Sequence, residues 1–178
     1  HREAIIHFVS RSAFDIEHVG PALIDQLLDA KLIEDAADLF TLKHGDLAAL
    51  ERMADKSAQN VIDSLEQKKT ISLNRFIYAL GITHIGEQTA SDLADAFETL
   101  PKLEKASYED LEELFGLGQI VAQSVYDYFH DEKNLKYIKK LLDTGIKITV
   151  KTNGRSSLRG LSFVITGSLQ KFSREVAE

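Results

Sequence analysis

Apolar positions recur every three or four residues along most of the chain. Residues 2–12 carry Ile5, Ile6, Phe8 and Val9, and residues 57–68 carry Ala58, Val61, Ile62 and Leu65. Residues 72–80 carry Leu73, Phe76, Ile77 and Leu80, and residues 132–143 carry Leu135, Ile138, Leu141 and Leu142. That spacing predicts amphipathic helices, each burying one stripe. Gly145 is expected to end the last of them. The period then shortens to two: Ile146, Ile148 and Val150 alternate with Lys147, Thr149 and Lys151, which predicts an extended segment. Asn153-Gly154 and Ser156-Ser157 carry turn and linker chemistry. The chain thus divides into a helical domain over 1–145, a linker over 146–157 and a short tail over 158–178.

Within the helical domain a single register occurs four times. The copies are Ile16-Glu17-His18-Val19-Gly20-Pro21-Ala22-Leu23-Ile24, Leu50-Glu51-Arg52-Met53-Ala54-Asp55-Lys56-Ser57-Ala58, Ile82-Thr83-His84-Ile85-Gly86-Glu87-Gln88-Thr89-Ala90 and Leu114-Phe115-Gly116-Leu117-Gly118-Gln119-Ile120-Val121-Ala122. The key small residue falls at 20, 54, 86 and 118, with spacings of 34, 32 and 32. A fixed period of this size marks a repeated supersecondary unit. In each copy a helix arrives, such as Asp110-Leu111-Glu112-Glu113-Leu114, and a tight turn follows. An apolar residue (Val19, Met53, Ile85 or Leu117) lies between two special turn positions and pins the turn to the core. Four residues after the second position, Ile24, Ala58, Ala90 or Ala122 lets the next helix pack closely.

The turn leads directly into a helix N-terminus, whose first N–H groups have no intrahelical acceptor. Those groups and the positive end of the helix dipole form an anion site that a phosphate diester fits. Such a site needs no side-chain charge, and it positions a nucleic-acid backbone without reading its sequence. The same repeat can also serve as a packing unit of a helical scaffold. Both readings stand at this level.

Charge changes the picture in one respect. The 178 residues carry a net charge of −7, unusual for a nucleic-acid binder. The distribution is uneven, with −14 in residues 1–132, +7 in residues 133–159 and zero beyond. The basic stretch (Lys133, Lys136, Lys139, Lys140, Lys147, Lys151, Arg155 and Arg159 against Asp143) reads equally as a solvated helix face and linker. Contacts made by main-chain amides would let an acidic body hold DNA locally. The acids Glu109, Asp110, Glu112 and Glu113 read as a solvated helix face.

The remaining chemistry is mostly exclusion. Cysteine is absent, so no disulfide or thiolate metal site exists, in keeping with a reducing compartment. The six histidines (His1, His7, His18, His44, His84 and His130) show no ligand spacing, and no metal site is expected. Gly81 to Gln88 has the outer spacing of a Walker loop, but Glu87 and Gln88 replace the required Lys and Ser/Thr. Gly116-Leu117-Gly118 begins like a dinucleotide fingerprint, yet Val121 takes the third glycine position and a helix precedes it. No catalytic constellation stands out. The longest apolar runs are only a few residues, too short to span a bilayer, and residues 1–10 lack a secretion signal's pattern. A cytoplasmic, membrane-independent monomer is the expectation.

The four registers resemble helix-hairpin-helix motifs. The phrases His7-Phe8-Val9-Ser10-Arg11, Leu50-Glu51-Arg52-Met53, Lys56-Ser57-Ala58-Gln59-Asn60 and Tyr78-Ala79-Leu80-Gly81-Ile82 resemble the bacterial NAD-dependent DNA ligases, in that family's order, over about residues 2–145. Gly160-Leu161-Ser162-Phe163-Val164-Ile165-Thr166-Gly167-Ser168-Leu169, followed by Ser173-Arg174-Glu175, is similar to the first strand and helix start of a BRCT domain. The resemblance implies an all-α fold of four tandem helix-hairpin-helix motifs, then a linker and a truncated α/β BRCT start. Nothing extends the phosphopeptide role of some BRCT domains to Thr166.

The family implies a parent enzyme that seals nicks in double-stranded DNA during replication and repair, with NAD as AMP donor and magnesium as metal. It implies nucleotidyltransferase, OB and zinc-finger domains upstream in the same chain, with the zinc bound there. No catalytic or cofactor-binding residue is expected in this segment, which alone should not ligate. By resemblance the DNA-binding turns are His18-Val19-Gly20, Arg52-Met53-Ala54, His84-Ile85-Gly86 and Gly116-Leu117-Gly118, with Lys56 and Arg52 as side-chain phosphate contacts and Thr89 adding a hydroxyl. The first turn position is glycine only in the fourth copy, and Ala54 replaces the family's usual glycine at the second. If that position needs a positive φ, Ala54 is strained by about 1 kcal/mol. Two alternatives remain open: a helix-hairpin-helix module of another repair or recombination protein, and a helical protein-interaction scaffold.

Overall fold

The computed structural model describes residues 1–114 and 118–150. Gly116 and Leu117 of the fourth turn, the linker from 151 to 157 and the BRCT-like tail lie outside the described residues. Ten α-helices are described: α1 (Arg2–Val9), α2 (Pro21–Asp29), α3 (His44–Ala48), α4 (Asp55–Gln67), α5 (Leu73–Ala79), α6 (Glu87–Phe97), α7 (Leu100–Glu104), α8 (Tyr108–Glu112), α9 (Gln119–His130) and α10 (Glu132–Asp143). A 3-10 helix spans Ala36–Thr41. The apolar stripes read from the sequence face inward, with Ile5, Phe8 and Val9 of α1, Ala58, Val61 and Leu65 of α4, and Ile138 and Leu141 of α10 all buried. The first stripe ends early, because residues 11–14 turn instead of continuing α1.

One aromatic cluster joins segments distant in sequence. Phe8 stacks on Phe14 at 4.1 Å between centroids, and Phe40 of the 3-10 helix packs on Phe14 at 5.6 Å. Phe76 of α5 closes on Phe14 edge-on at 6.3 Å. Polar contacts reinforce the same junction. The Arg75 guanidinium of α5 donates to the carbonyls of Ala13 and Arg11 at 2.8 and 2.6 Å, and His7 Nε2 lies 2.7 Å from the Tyr78 carbonyl. The turn after α1 is thereby fastened to the start of the second half of the domain.

The segment from Ile146 departs from its reading as linker. Gly145 ends α10 with φ of +93°, a backbone that glycine adopts without a Cβ clash. Ile146 is then buried, and strand β2 (Lys147–Thr149) pairs in parallel with β1 (Thr70–Ser72), Ile71 opposite Ile148. The Lys147 amide donates to the Lys69 carbonyl at 2.7 Å. The alternating pattern is visible in sequence; its partner is not, because three residues between two helices show no period. The folded domain therefore runs beyond 145, and at least 146–149 belongs to it.

Some of the basic stretch is structural. Lys140 of α10 lies 2.7 Å from both Asp35 and Asp38, which tie the last helix to the 3-10 helix. Burial alone would raise the Asp38 carboxyl, but the Lys140 hydrogen bond and the Glu34 and Asp35 amides outweigh it and hold Asp38 below its ordinary range. Lys136 sits 3.7 Å from Glu132, and Lys133 and Lys139 are exposed.

Three of the six described non-glycine residues with positive φ fall in a pattern. His18, Arg52 and His84, the first turn positions of three copies, have φ of +65°, +59° and +67°. The second positions do not: Gly20, Ala54, Gly86 and Gly118 are extended N-cap residues with φ of −100°, −69°, −89° and −76°. The expected strain at Ala54 is absent. It falls two residues earlier, on residues with side chains.

Replacing His18 or His84 with glycine should raise stability by about 0.5 kcal/mol, the left-handed penalty being partly offset by glycine's greater freedom when unfolded. Chemical denaturation would show a higher midpoint with unchanged slope. Lys140→Met should lower stability at neutral pH by about 0.5–1 kcal/mol, the scale of a partly exposed ion pair. Because Asp38 is depressed in the fold, its stabilisation is present above the ordinary carboxylate value of 3.8 and lost as pH falls through the lower folded value. The gap between wild type and variant should therefore shrink in urea titrations below about pH 3.8.

Candidate nucleic-acid interface

Each of the four registers ends in a helix whose N-cap offers no side chain able to cap it. Gly20, Ala54, Gly86 and Gly118 precede α2, α4, α6 and α9, and none makes a side-chain cap hydrogen bond. α8 and α10 instead begin with Ser107 and Asp131, which accept from the Asp110 and Lys133 amides; α1, α3, α5 and α7 also lack a side-chain cap bond, so what sets the four starts apart is the repeated register around them. Helix bonding in the repeated units reaches full register four residues on, where Ile24, Ala58, Ala90 and Ala122 donate to the N-cap carbonyls at 2.9–3.1 Å. Ahead of that point the amides of Ala22, Lys56 and Gln88 have no acceptor among the described residues. Pro21 removes one donor from α2.

The side chains around these amides obey the register. Ile24, Ala58, Ala90 and Ala122 are all 0% exposed, the point where each helix meets its neighbour. Val19 and Ile85 are buried and Met53 is half-buried, so the central residue of each described turn faces the core. His18, Arg52 and His84 point to solvent with the N-cap residues. The space beyond Gly20, Gly86 and Gly118 is open: a Cβ there would meet nothing within 4 Å. Neither φ nor internal packing requires glycine at these positions. Glycine keeps the helix start bare, so a ligand can approach the main chain.

The side-chain candidates differ from copy to copy. Lys56 and Arg52 are exposed and have no ion-pair partner among the described residues, which leaves the second start with uncompensated cations. Its first turn also holds Asp55, 3.2 Å from His44, and α6 has Glu87 at the same place. These acids stabilise their helices and oppose an incoming phosphate. The first turns of α2 and α9 hold no acid. Thr89 is half-buried at the third residue of α6.

Two contributors carry no signal in the one-dimensional pattern. Ser64, only 7% exposed on α4, accepts a hydrogen bond from the Glu17 amide at 2.9 Å and so holds the chain entering the first turn. Lys68 of α4 lies 2.7 Å from Asp15, whose carboxyl is held low first by that hydrogen bond, against the opposing effect of burial. Both contacts span about fifty residues, beyond any local periodicity. No group of three or more His, Asp or Glu side chains able to hold a metal is found among the described residues, nor any helix long and apolar enough to cross a membrane.

Comparison with known proteins agrees with this geometry. A family model described as a SAM-like helix-hairpin-helix tandem matches residues 11–67, which include the starts at Gly20 and Ala54. A helix-hairpin-helix motif model matches residues 75–138, which include those at Gly86 and Gly118. The DNA ligase of Geotalea uraniireducens is 44% identical over 180 residues, covering 99% of this chain and 26% of that protein. The DNA ligase of Desulfitobacterium hafniense is 43% identical over 178 residues, again 99% of this chain and 27% of that protein. That of Halothermothrix orenii is 44% identical, with 99% and 27% covered. The chain thus spans about a quarter of the length of the curated relatives it matches. Two helix-hairpin-helix regions in a helical fold, with near-complete alignment to a segment of these proteins, place the chain in the DNA ligase family as one of its helix-hairpin-helix segments.

Proposed function

We propose that this segment grips the sugar-phosphate backbone of nicked duplex DNA through four tandem hairpins, inside a ligase that seals the nick during replication and repair. The observation that carries the reading is the set of four uncapped helix starts, each exposed and preceded by a turn whose central side chain is tied to the core where described. Main-chain amides pointing outward at a helix's positive end suit a phosphate diester, and they do so whatever the base sequence. This reconciles DNA binding with the net charge of −7. Arg52 and Lys56 add charge at the second start. Gly116 and Leu117 belong to the fourth turn by register.

Nick sealing itself is assigned to domains of the parent enzyme outside this segment. NAD, magnesium and zinc belong to those domains, whose nucleotidyltransferase, OB and zinc-finger units would be partners in the same polypeptide. The BRCT-like tail is read as the start of the next domain. An isolated scaffold role is the less favoured reading, since open space beyond the N-cap glycines has no purpose in internal packing.

Fluorescence anisotropy with a labelled nicked duplex tests the proposal. Binding should weaken steeply with salt and vary little with base sequence, and Lys56→Ala should reduce the slope of log K against log salt by about one unit. Affinity independent of salt would refute phosphate binding. Gly20→Val and Gly86→Val should fold, given the open space around each Cβ, and should bind about tenfold more weakly by obstructing approach to the amides. Wild-type affinity in both variants would contradict the main-chain contact.

A further inference from the structure

Among the described residues the large apolar side chains most exposed to water are Ile120, Val150 and Leu135, and Ile120 leads at 70% exposure. It is the second residue of α9, two positions after the N-cap Gly118. The corresponding residues at the other three starts are Ala22, Lys56 and Gln88, all exposed. The fourth start is therefore the one that places a bulky hydrocarbon beside its amides. Its neighbour Gln119 is drawn away, donating from Nε2 to Glu112 of α8 at 2.9 Å. The first turn of α9 also carries no acid.

Leaving an isoleucine in water forgoes stabilisation that burial would supply. Nothing described in the fold covers this one. A phosphate held at the start of α9 would bring its flanking deoxyribose units against the adjoining side chain, and their C–H edges form the apolar walls of the minor groove. Proteins that enter that groove use aliphatic side chains in this way, sometimes to the point of parting base steps.

We propose that Ile120 is an apolar minor-groove contact, pressing its methyl groups against deoxyribose edges beside a phosphate held at the start of α9. The inference rests on the phosphate-binding reading above and adds a division of labour to it. The second hairpin contributes charge through Arg52 and Lys56, whereas the fourth contributes hydrocarbon. The two differ in thermodynamic signature, because a contact that neutralises no phosphate releases no counterion.

The test is a salt series of anisotropy titrations on nicked duplex, using the 178-residue chain and the variants Ile120→Ala, Ile120→Gln and Ile120→Leu. Ile120→Ala and Ile120→Gln should bind about tenfold more weakly at every salt concentration, with the wild-type slope unchanged. Ile120→Leu should keep wild-type affinity. Thermal midpoints of all three should match wild type, since the side chain is exposed. If wild type binds with the expected salt dependence and the Ala and Gln variants match it within about twofold, the Ile120 contact is wrong and the phosphate reading survives. If wild type shows no salt-dependent binding, the phosphate reading fails first and the contact has no basis. A changed slope in Ile120→Ala would also overturn the proposal, since it would mean that the residue acts through a phosphate contact.

Discussion

A helix that begins without a capping side chain leaves its first amides facing water or a ligand. At the starts of α2, α4, α6 and α9 the N-cap residue of the repeated register has that geometry. A buried residue at the fourth helical position, fully enclosed in every copy, fixes where the new helix meets its neighbour. In the first and third copies a buried turn residue, Val19 or Ile85, fixes the approach. The N-cap between these points has no freedom to retreat into the core. The unpaired amides are thus held outward by packing, with the Ser64 and Lys68 contacts adding polar support at the entry to the first turn.

Long-range contacts then set the hairpins on a common body. Phe14 packs against Phe8, Phe40 and Phe76, and Arg75 binds the carbonyls of the turn that carries Phe14. Ser64 and Lys68 bring α4 against the entry to the first turn. Lys140 draws α10 back to Asp35 and Asp38, and the short parallel pairing of residues 70–72 with 147–149 fixes the chain beyond α10. A row of independent hairpins would have little to define their relative positions, and these contacts supply it.

Much of this is legible in the sequence because it depends on local period. The four helices read from apolar spacing are present, and so is the stop at Gly145. The register at 20, 54, 86 and 118 marks four N-caps of one kind. Ala54 shows where such reading goes astray. Glycine at a turn suggests positive φ, yet within the described registers it is His18, Arg52 and His84 that are left-handed, while the small residues are extended. The open space around the glycines points to access, not to a conformational need. Residues 146–149 look like linker in one dimension because strand pairing depends on a partner some seventy-five residues away. Ser64 is silent in the sequence for the same reason. Ile120 looks like one more apolar position, and only its exposure separates it from the core.

In the proposed function, main-chain amides at these helix starts meet phosphate oxygens. That contact is tested most directly by amide chemical shifts in 15N-labelled protein titrated with a nicked oligonucleotide duplex. Saturable shifts are expected at Gly20, Gly86 and Gly118 and at the amides just after them, with the capped starts at Ser107 and Asp131 unmoved. Unchanged signals at those three glycines, at DNA concentrations where binding is saturated, would contradict the proposed contact.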